Sequence, residues 1–160
     1  MDQFAKEILN GAAAEEVVPK ARPQNPVDHW TRAILLERAV YLRKMAAHGD
    51  GSASETLKTY PQHFTMLSFR SRDGEAELHA NFADLFYVLD GCTTLVTGGK
   101  IIGARKVGPG ETRGDAIEGG VRQELKAGDV AHVPAGVPHQ MLVSGEKPIA
   151  CLVVKVQEQP

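Results

Sequence analysis

The sequence predicts an all-β domain, a closed antiparallel sandwich or barrel, with an N-terminal helical extension. Over residues 60–156, short runs of strand-forming residues alternate with turn signals rich in Gly, Asp and Pro. Residues 28–48 instead carry apolar side chains at helical spacing. We therefore predict an N-terminal helical arm and linker over residues 1–56 and a β-barrel domain over residues 57–160.

Length and charge restrict the classes of partner. The chain has 160 residues, the size of one domain with a real core, and 18 Lys and Arg against 20 Asp and Glu give a net charge of −2. This balance predicts a small-molecule ligand and no nucleic acid or membrane partner. The sequence shows neither a transmembrane-length apolar run nor a secretion signal. Cys92 and Cys151 lie in apolar runs without CxxC spacing, which predicts free thiols in a reducing cytoplasm, with a disulfide as the alternative.

The N-terminal arm is predicted to contain a short helix capped by Asp2 and an extended linker at 19–27, where three prolines fall within eight residues. A second helix follows, with Asp28 as its N-cap and Gly49 as its stop signal. Its apolar stripe is predicted to cover either the outer face of the barrel or a partner subunit. The stripe consists of Trp30, Ile34, Tyr41 and Met45. Residues 49–55 are predicted to be a flexible hinge.

Two hairpins are predicted in the first half of the β region. The alternating strand 63–70, a glycine-containing turn and residues 75–81 indicate the first. An Asp-Gly dipeptide, favoured in two-residue type I′ turns, joins 86–89 to 93–97 in the second. The last strand, 150–156, is apolar on both faces, which is typical of a strand buried on both sides.

The stretch 128–139, GDVAHVPAGVPH, is predicted to place its last residue, His139, by backbone geometry. A strand over 130–133 runs into a corner at 134–138. Two prolines fix φ in this corner, and Gly136 supplies the positive φ that a tight reversal needs. The corner therefore holds one imidazole, a side chain able to bind metal, in a fixed place.

The order Gly128, five residues, Pro134-x-Gly136, two residues, His139 resembles the second conserved motif of the cupins. Residues 77–91, ELHANFADLFYVLDG, resemble the first motif, with Asp84 and the closing glycine at the family spacing. Aspartate stands here where the family has glutamate. The resemblance covers about residues 60–156 and implies a double-stranded β-helix, the cupin jelly-roll barrel.

The resemblance also implies a metal site inside the barrel. Residues two apart share one face of a strand, so Glu77, His79 and Asn81 are expected to point the same way. Asp84 opens the next strand, and His139 arrives from the corner. Two imidazoles with carboxylate oxygen suit a divalent transition metal, namely Fe, Mn, Ni, Cu or Zn, and do not select among them.

Two registers complete the predicted site differently. The family's histidine pair aligns with His79 and Asn81, in which case asparagine replaces the second histidine; this register is preferred on alignment. If the pair aligns with Glu77 and His79 instead, the site gains a second carboxylate, so Glu77 is kept as a candidate ligand. The alternative to metal binding is that His79 is an ordinary buried histidine of the core.

Three further residues are candidates for the substrate pocket. His132 lies in the strand that leads into the corner, and Phe86 is expected in the core or pocket wall. Arg113 lies in a glycine-rich segment, either as part of a solvated face or folded over the barrel mouth to hold an anionic substrate.

These residues lead to two functional hypotheses. The first is a metal-dependent cupin enzyme, an oxygenase, isomerase or lyase, that acts on a small polar or anionic metabolite. The alternative is a non-catalytic cupin that binds a small ligand and has a degraded metal site. Because cupins commonly pair, and because the stripe of helix 28–48 and the N-terminal arm could exchange across a two-fold axis, a homodimer is also predicted.

Overall fold

A computed structural model describes residues 27–143 and 147–158, and every structural statement below concerns these residues. They form one helix followed by antiparallel strands, which confirms the predicted all-β class with a helix before it. The short helix predicted near Asp2 and most of the predicted linker 19–27 lie outside the described residues. The elements are α1 Arg32–Ala47, β1 Ser52–Thr59, β2 His63–Arg70, β3 Ala76–His79, β4 Phe82–Asp90, β5 Cys92–Thr97, β6 Lys100–Ile102, β7 Arg105–Gly108, β8 Glu111–Gly114, β9 Ala116–Glu118, β10 Val121–Lys126, β11 Val130–Val133, β12 His139–Leu142 and β13 Ile149–Gln157.

The strands form two large sheets that share one core. The first has the order β1-β2-β13-β4-β11 and the second β10-β5-β12-β3-β8-β7, while β6 and β9 form a separate pair. Buried apolar side chains from both large sheets pack into one cluster, which is the interior of the barrel. Its members include Phe86, Val88 and Val153 from the first sheet and Leu95, Leu125 and Met141 from the second.

Strand β13 lies at the centre of the first sheet, between β2 and β4. Cys151 and Val153 face the barrel interior, while Ala150 and Leu152 pack with the cluster on the outer side. The prediction of a last strand that is apolar on both faces is confirmed. The outer layer that covers it is helix α1.

Helix α1 begins after Thr31, and not after Asp28 as predicted. The Thr31 hydroxyl accepts a hydrogen bond from the Ile34 N–H at 3.2 Å, whereas the Asp28 carboxylate accepts one from the Tyr60 hydroxyl at 2.7 Å. Both residue types favour the N-cap position, so the sequence did not distinguish them. His48 caps the other end, which agrees with the predicted stop.

The helix buries a different stripe from the predicted one. Its buried residues lie three and four apart and pack on the outer face of the first sheet. They are Leu35, Ala39, Leu42 and Ala46. Ile34, Tyr41 and Met45 of the predicted stripe are 44%, 59% and 52% exposed.

Both predicted hairpins are wrong. Strand β2 pairs with β1 and β13, whereas β3 pairs with β8 and β12 in the other sheet. In the same way β4 and β5 belong to different sheets, and Gly91 alone has positive φ in the turn, where a type I′ turn requires two such residues. Consecutive strands thus cross from one sheet to the other, as in a jelly roll.

The hinge predicted over 49–55 is wrong from Ser52 onward, where β1 begins. The Asp50 carboxylate accepts hydrogen bonds from the N–H and hydroxyl of Ser52, which fixes the entry to this strand. The predicted division between residues 1–56 and 57–160 falls within β1 and stays a prediction. No helix among the described residues is long and apolar enough to span a membrane.

Candidate metal centre

Two strands from each large sheet contribute polar side chains to the interior of the barrel. Glu77 and His79 point the same way from β3, and His139 at the start of β12 pairs directly with Glu77. In the first sheet, which lies opposite these two strands, Asp84 on β4 pairs with Lys155 on β13. The two sheets therefore place their charged and imidazole side chains face to face.

The donor atoms of these residues converge. One ligand atom from each of Glu77, His79 and His139 lies within 4.8 Å of the others. Asp84 Oδ2 lies 3.4 Å from His79 Nε2 and 3.3 Å from His139 Nε2. His79, His139 and Asp84 are only 4%, 3% and 2% exposed. The cluster thus contains two imidazoles and two carboxylates, of which only the Glu77 carboxylate is partly exposed.

Each imidazole is oriented through its Nδ1 atom. His79 Nδ1 lies 2.6 Å from Glu111 Oε2, and His139 Nδ1 lies 3.1 Å from the Val137 carbonyl oxygen. A carbonyl oxygen only accepts, so His139 must carry a hydrogen on Nδ1. Its Nε2 atom is buried and makes no hydrogen bond in the described structure. Such partners behind each ring are typical of metal-binding histidines.

The corner before β12 holds His139 in place. Gly136 has φ +78, the positive value expected from the sequence, and its N–H donates to the His79 carbonyl oxygen at 2.8 Å. The Ala135 N–H donates to the Glu158 carboxylate at 2.9 Å. The corner is therefore tied both to the end of β3 and to the end of β13.

Lys155 belongs to the same cluster and was missed in the sequence. Its Nζ atom lies 2.7 Å from both carboxylate oxygens of Asp84 and 2.8 Å from His79 Nε2. The side chain is 15% exposed. The available signal was a single lysine within the apolar run ACLVVKV of a strand buried on both faces.

Comparison with known proteins agrees with this architecture. The cupin domain family matches residues 111–155. The structure of TT1209 from Thermus thermophilus superposes with a TM-score of 0.54 at 17% identity, over 78% of this chain and 95% of that chain. Residues 111–155 are thus similar to the cupin domain family, and the superposition shows a fold shared with TT1209. The predicted double-stranded β-helix with an N-terminal helix is thereby confirmed.

Two further solved structures share the fold of this chain. The DMSP lyase DddQ from Ruegeria pomeroyi superposes with a TM-score of 0.51 at 15% identity, over 68% of this chain and 48% of that chain. An uncharacterized conserved protein with a double-stranded beta-helix domain from Klebsiella pneumoniae gives 0.50 at 17% identity, over 66% and 76%. At these identities the superpositions show a shared fold alone. Comparison with curated proteins gives no significant match.

The pKa values of the buried groups in the cluster reflect their neighbours. Burial raises the pKa of Asp84, but both histidines and the Lys155 charge outweigh it and hold that pKa well below its usual range. Burial also raises the pKa of Glu77, but His79 and two arginines outweigh this effect and lower the pKa to about 2. At His79, burial lowers the pKa, yet Asp84 and Glu77 raise it to about 9. Both carboxylates are therefore ionised at neutral pH.

Two arginines and Lys155 balance the carboxylates of the cluster. Arg70 Nη2 lies 3.2 Å from Glu77 Oε1, and Arg113 Nη1 lies 3.3 Å from Glu77 Oε2. Arg113 Nη1 is buried and has no hydrogen bond in the described structure. Three cations thus face three carboxylates, those of Glu77, Asp84 and Glu111.

An inner cavity next to the cluster leads to a wider mouth. The cavity has about 70 Å³ of space for water-sized molecules, and its wall includes Phe86. The rings of Phe86 and His139 are in an edge-to-face arrangement with their centroids 6.0 Å apart. Arg70, Glu77 and Lys155 line both the cavity and the mouth. Arg113 lines the mouth, whose volume measured in the same way is about 430 Å³.

The structure does not bring Asn81 or His132 into this cluster. Strand β3 ends at His79, so the rule that residues two apart share a face does not extend to Asn81, which is exposed in the following bend. His132 is exposed on β11, because its neighbour Val133 takes the inward position. Of the two registers, the geometry places Glu77 beside His79. Metal binding by these residues stays a prediction.

Proposed function

We propose that this cupin binds a divalent transition metal with Glu77, His79 and His139, assisted by Asp84, and acts on a small polar or anionic metabolite. The observation that carries the proposal is the convergence of three donors, two from β3 and one from β12, within 4.8 Å inside the barrel. The buried Nε2 atom of His139, which makes no hydrogen bond, fits a metal ligand. Imidazole with carboxylate suits Fe, Mn, Ni, Cu or Zn.

The mouth of the barrel supports an anionic substrate. Arg70 and Arg113 line it, and Arg113 has a buried guanidinium nitrogen free of hydrogen bonds in the described structure. Guanidinium groups recognise carboxylates and phosphates by paired hydrogen bonds. The inner cavity has room for only a few waters, so the reacting group would enter it while the rest of the substrate stays in the mouth.

An oxygenase, isomerase or lyase reaction is the proposed class of chemistry. A bound metal supplies a Lewis acid beside the cavity. The chain's own residues hold its ligands in orientation, since Glu111 and the Val137 carbonyl fix the two imidazole rings. The similarity in fold to the DMSP lyase DddQ is consistent with a lyase but does not select it.

Metal analysis of the purified protein tests the proposal. Wild-type protein should bind a transition metal near one equivalent, and His139→Ala should lose it, because that change removes a ligand at the centre of the cluster. His132→Ala is the matched control, since His132 is exposed on the outer face. Equal metal content in His139→Ala and wild type would contradict the proposed site.

A non-catalytic ligand-binding cupin is the second candidate. The Lys155–Asp84 ion pair favours it, because the carboxylates of the cluster already have cationic partners without a metal. In that case the protein should contain no metal yet bind small carboxylates or phosphates at the mouth. Metal content separates the two functions, and calorimetric titration of the metal-free protein with such anions tests the second, with Arg113→Ala as the variant that loses binding.

A homodimer is proposed from the exposed apolar face of helix α1. Ile34, Tyr41 and Met45 form this face and are each more than two-fifths exposed. A second copy that covers the face would bury it from water. Light scattering tests this: wild type should have the mass of a dimer and Tyr41→Glu that of a monomer, whereas a monomeric wild type would contradict it.

A cytoplasmic location and the two-part division of the chain remain proposals of the same kind. Cys92 and Cys151 are both free thiols, which supports a reducing compartment. Two titratable thiols in denatured protein purified without reductant would agree with it. For the division, a fragment of residues 57–160 should fold alone if the boundary is right, although it lacks five of the eight residues of β1.

A further inference from the structure

We infer that Lys155 is a tethered cation that competes with the metal for the barrel site, so that the metal binds only when the Lys155 side chain leaves Asp84 and His79. The inference rests on the proposed metal site and describes its regulation. It assigns a role to Lys155, which the sequence motifs did not indicate. The contacts of His79 provide the main argument.

His79 has no nitrogen left for a metal while Lys155 is in place. Its Nδ1 atom is engaged by the Glu111 carboxylate at 2.6 Å. Its Nε2 atom lies 2.8 Å from Lys155 Nζ, and two nitrogens at this distance must have a proton between them, whichever nitrogen bears it. A metal needs the same lone pair, so the two cations exclude each other at this atom.

Asp84 is also occupied by Lys155. Both of its carboxylate oxygens lie 2.7 Å from Nζ, and the residue is 2% exposed. The three acceptors around Nζ, two from Asp84 and one from His79, match the three N–H groups of an ammonium. A carboxylate buried this deeply needs a cationic partner, and the lysine and a metal ion are alternatives for that position.

The charge of the cluster leads to the same conclusion. Lys155 and two arginines already balance three carboxylates, so a divalent ion added to this arrangement would leave an excess of two positive charges in a buried site. Departure of the Lys155 ammonium halves that excess. The side chain lines both the inner cavity and the mouth, which provides a route outward while the backbone of β13 stays paired on both sides.

Calorimetric titration with Zn²⁺ alone tests the inference. Lys155→Met keeps a chain of similar length without the charge, and its Kd for Zn²⁺ should fall by about tenfold or more relative to wild type. Lys126→Met on β10 is the matched control, because it removes the same charge from an exposed position and should leave the Kd unchanged. A result in which Lys155→Met binds Zn²⁺ no more tightly than wild type would overturn the inference but not the proposed metal site. Absence of binding in both proteins would overturn both.

A second measurement uses the wild-type protein, in case Lys155→Met does not fold. Reductive methylation of lysines, followed by mass spectrometry, should modify Lys155 slowly in metal-free protein and several-fold faster with saturating Zn²⁺. Lys126, which is exposed, should be modified at the same rate in both conditions. Modification of Lys155 that is unchanged or slowed by Zn²⁺ would contradict its displacement.

Discussion

Glu111 decides which nitrogen of His79 faces the interior of the barrel. Its carboxylate engages Nδ1 at 2.6 Å, so Nε2 points towards Asp84 and Glu77. His139 has the same arrangement, with a backbone carbonyl in place of the carboxylate. At the scale of single residues, therefore, the donors of the site depend on partners that would not themselves touch a metal.

Removal of Glu111 should weaken metal binding without removing a ligand. We expect Glu111→Ala to raise the Kd for Zn²⁺ by about 10- to 100-fold, because the His79 ring loses the group that orients it. Calorimetric titration provides the measurement, with the exposed Glu118→Ala on β9 as the control of equal charge. An unchanged Kd in Glu111→Ala would contradict this role of Glu111.

The two thiols should differ sharply in reactivity. Burial raises the pKa of Cys151 to about 12, so its reactive thiolate is almost absent at pH 8, whereas Cys92 is partly exposed. Titration with a chromogenic disulfide reagent should detect one fast thiol in native protein and two after denaturation. Cys92→Ser should abolish the fast reaction, and a fast thiol that persists in this variant would contradict the burial of Cys151.

Helix α1 has apolar residues on two sides, and only one side is covered by the barrel. Leu42 is 3% exposed and packs over the first sheet with the smaller Ala39 and Ala46. The other side presents Tyr41 to solvent or to a partner. At the scale of elements, the helix is therefore a lid on the sheet that holds Asp84 and Lys155.

Truncation of the buried stripe should destabilise the whole domain. Leu42→Ala is expected to reduce the free energy of unfolding by about 2 to 5 kcal/mol, the usual cost of such a cavity. Val40→Ala, at a helix position that is 56% exposed, should change it by less than about 0.5 kcal/mol. Urea denaturation followed by circular dichroism measures both. Similar losses in the two variants would contradict the observed orientation of the helix.

At the scale of the whole molecule, the site exists because the chain crosses repeatedly between two sheets. Asp84 is in one sheet, and the next strand, after the turn at Gly91, is in the other. Gly91 has φ +84, and a Cβ built there would lie against the Pro148 carbonyl oxygen. This close approach leaves no space for a side chain at the crossing.

Gly91→Ala should therefore lower the free energy of unfolding more than the same substitution at a glycine that has space for a side chain. Gly98 also has positive φ, +72, but a Cβ there would meet no atom within 4 Å, so Gly98→Ala should cost only the conformational penalty of roughly 1 to 2 kcal/mol. Gly91→Ala should reduce the free energy of unfolding by clearly more than that. Thermal and urea unfolding compare the two, and equal losses would mean that the backbone at Gly91 shifts without cost.

Local chemistry in the sequence determined a large part of this protein. The alternation of strands and turns predicts the barrel, and the order of glycine and proline before His139 predicts the corner that holds it, because these residues restrict their own backbone angles. The spacing of His79, Asp84 and His139 was likewise available from the resemblance to cupins. The structure brings all three together.

The tertiary structure alone decided which strands pair, which face of α1 is buried, and that Glu77 and Lys155 complete the cluster while Asn81 does not. The physical reason is that alternation along a strand predicts which residues share a face, but does not predict which distant strand pairs with it. Lys155 meets Asp84 through pairing across 71 positions of sequence. Asn81 leaves the cluster because its strand ends two residues earlier, at His79.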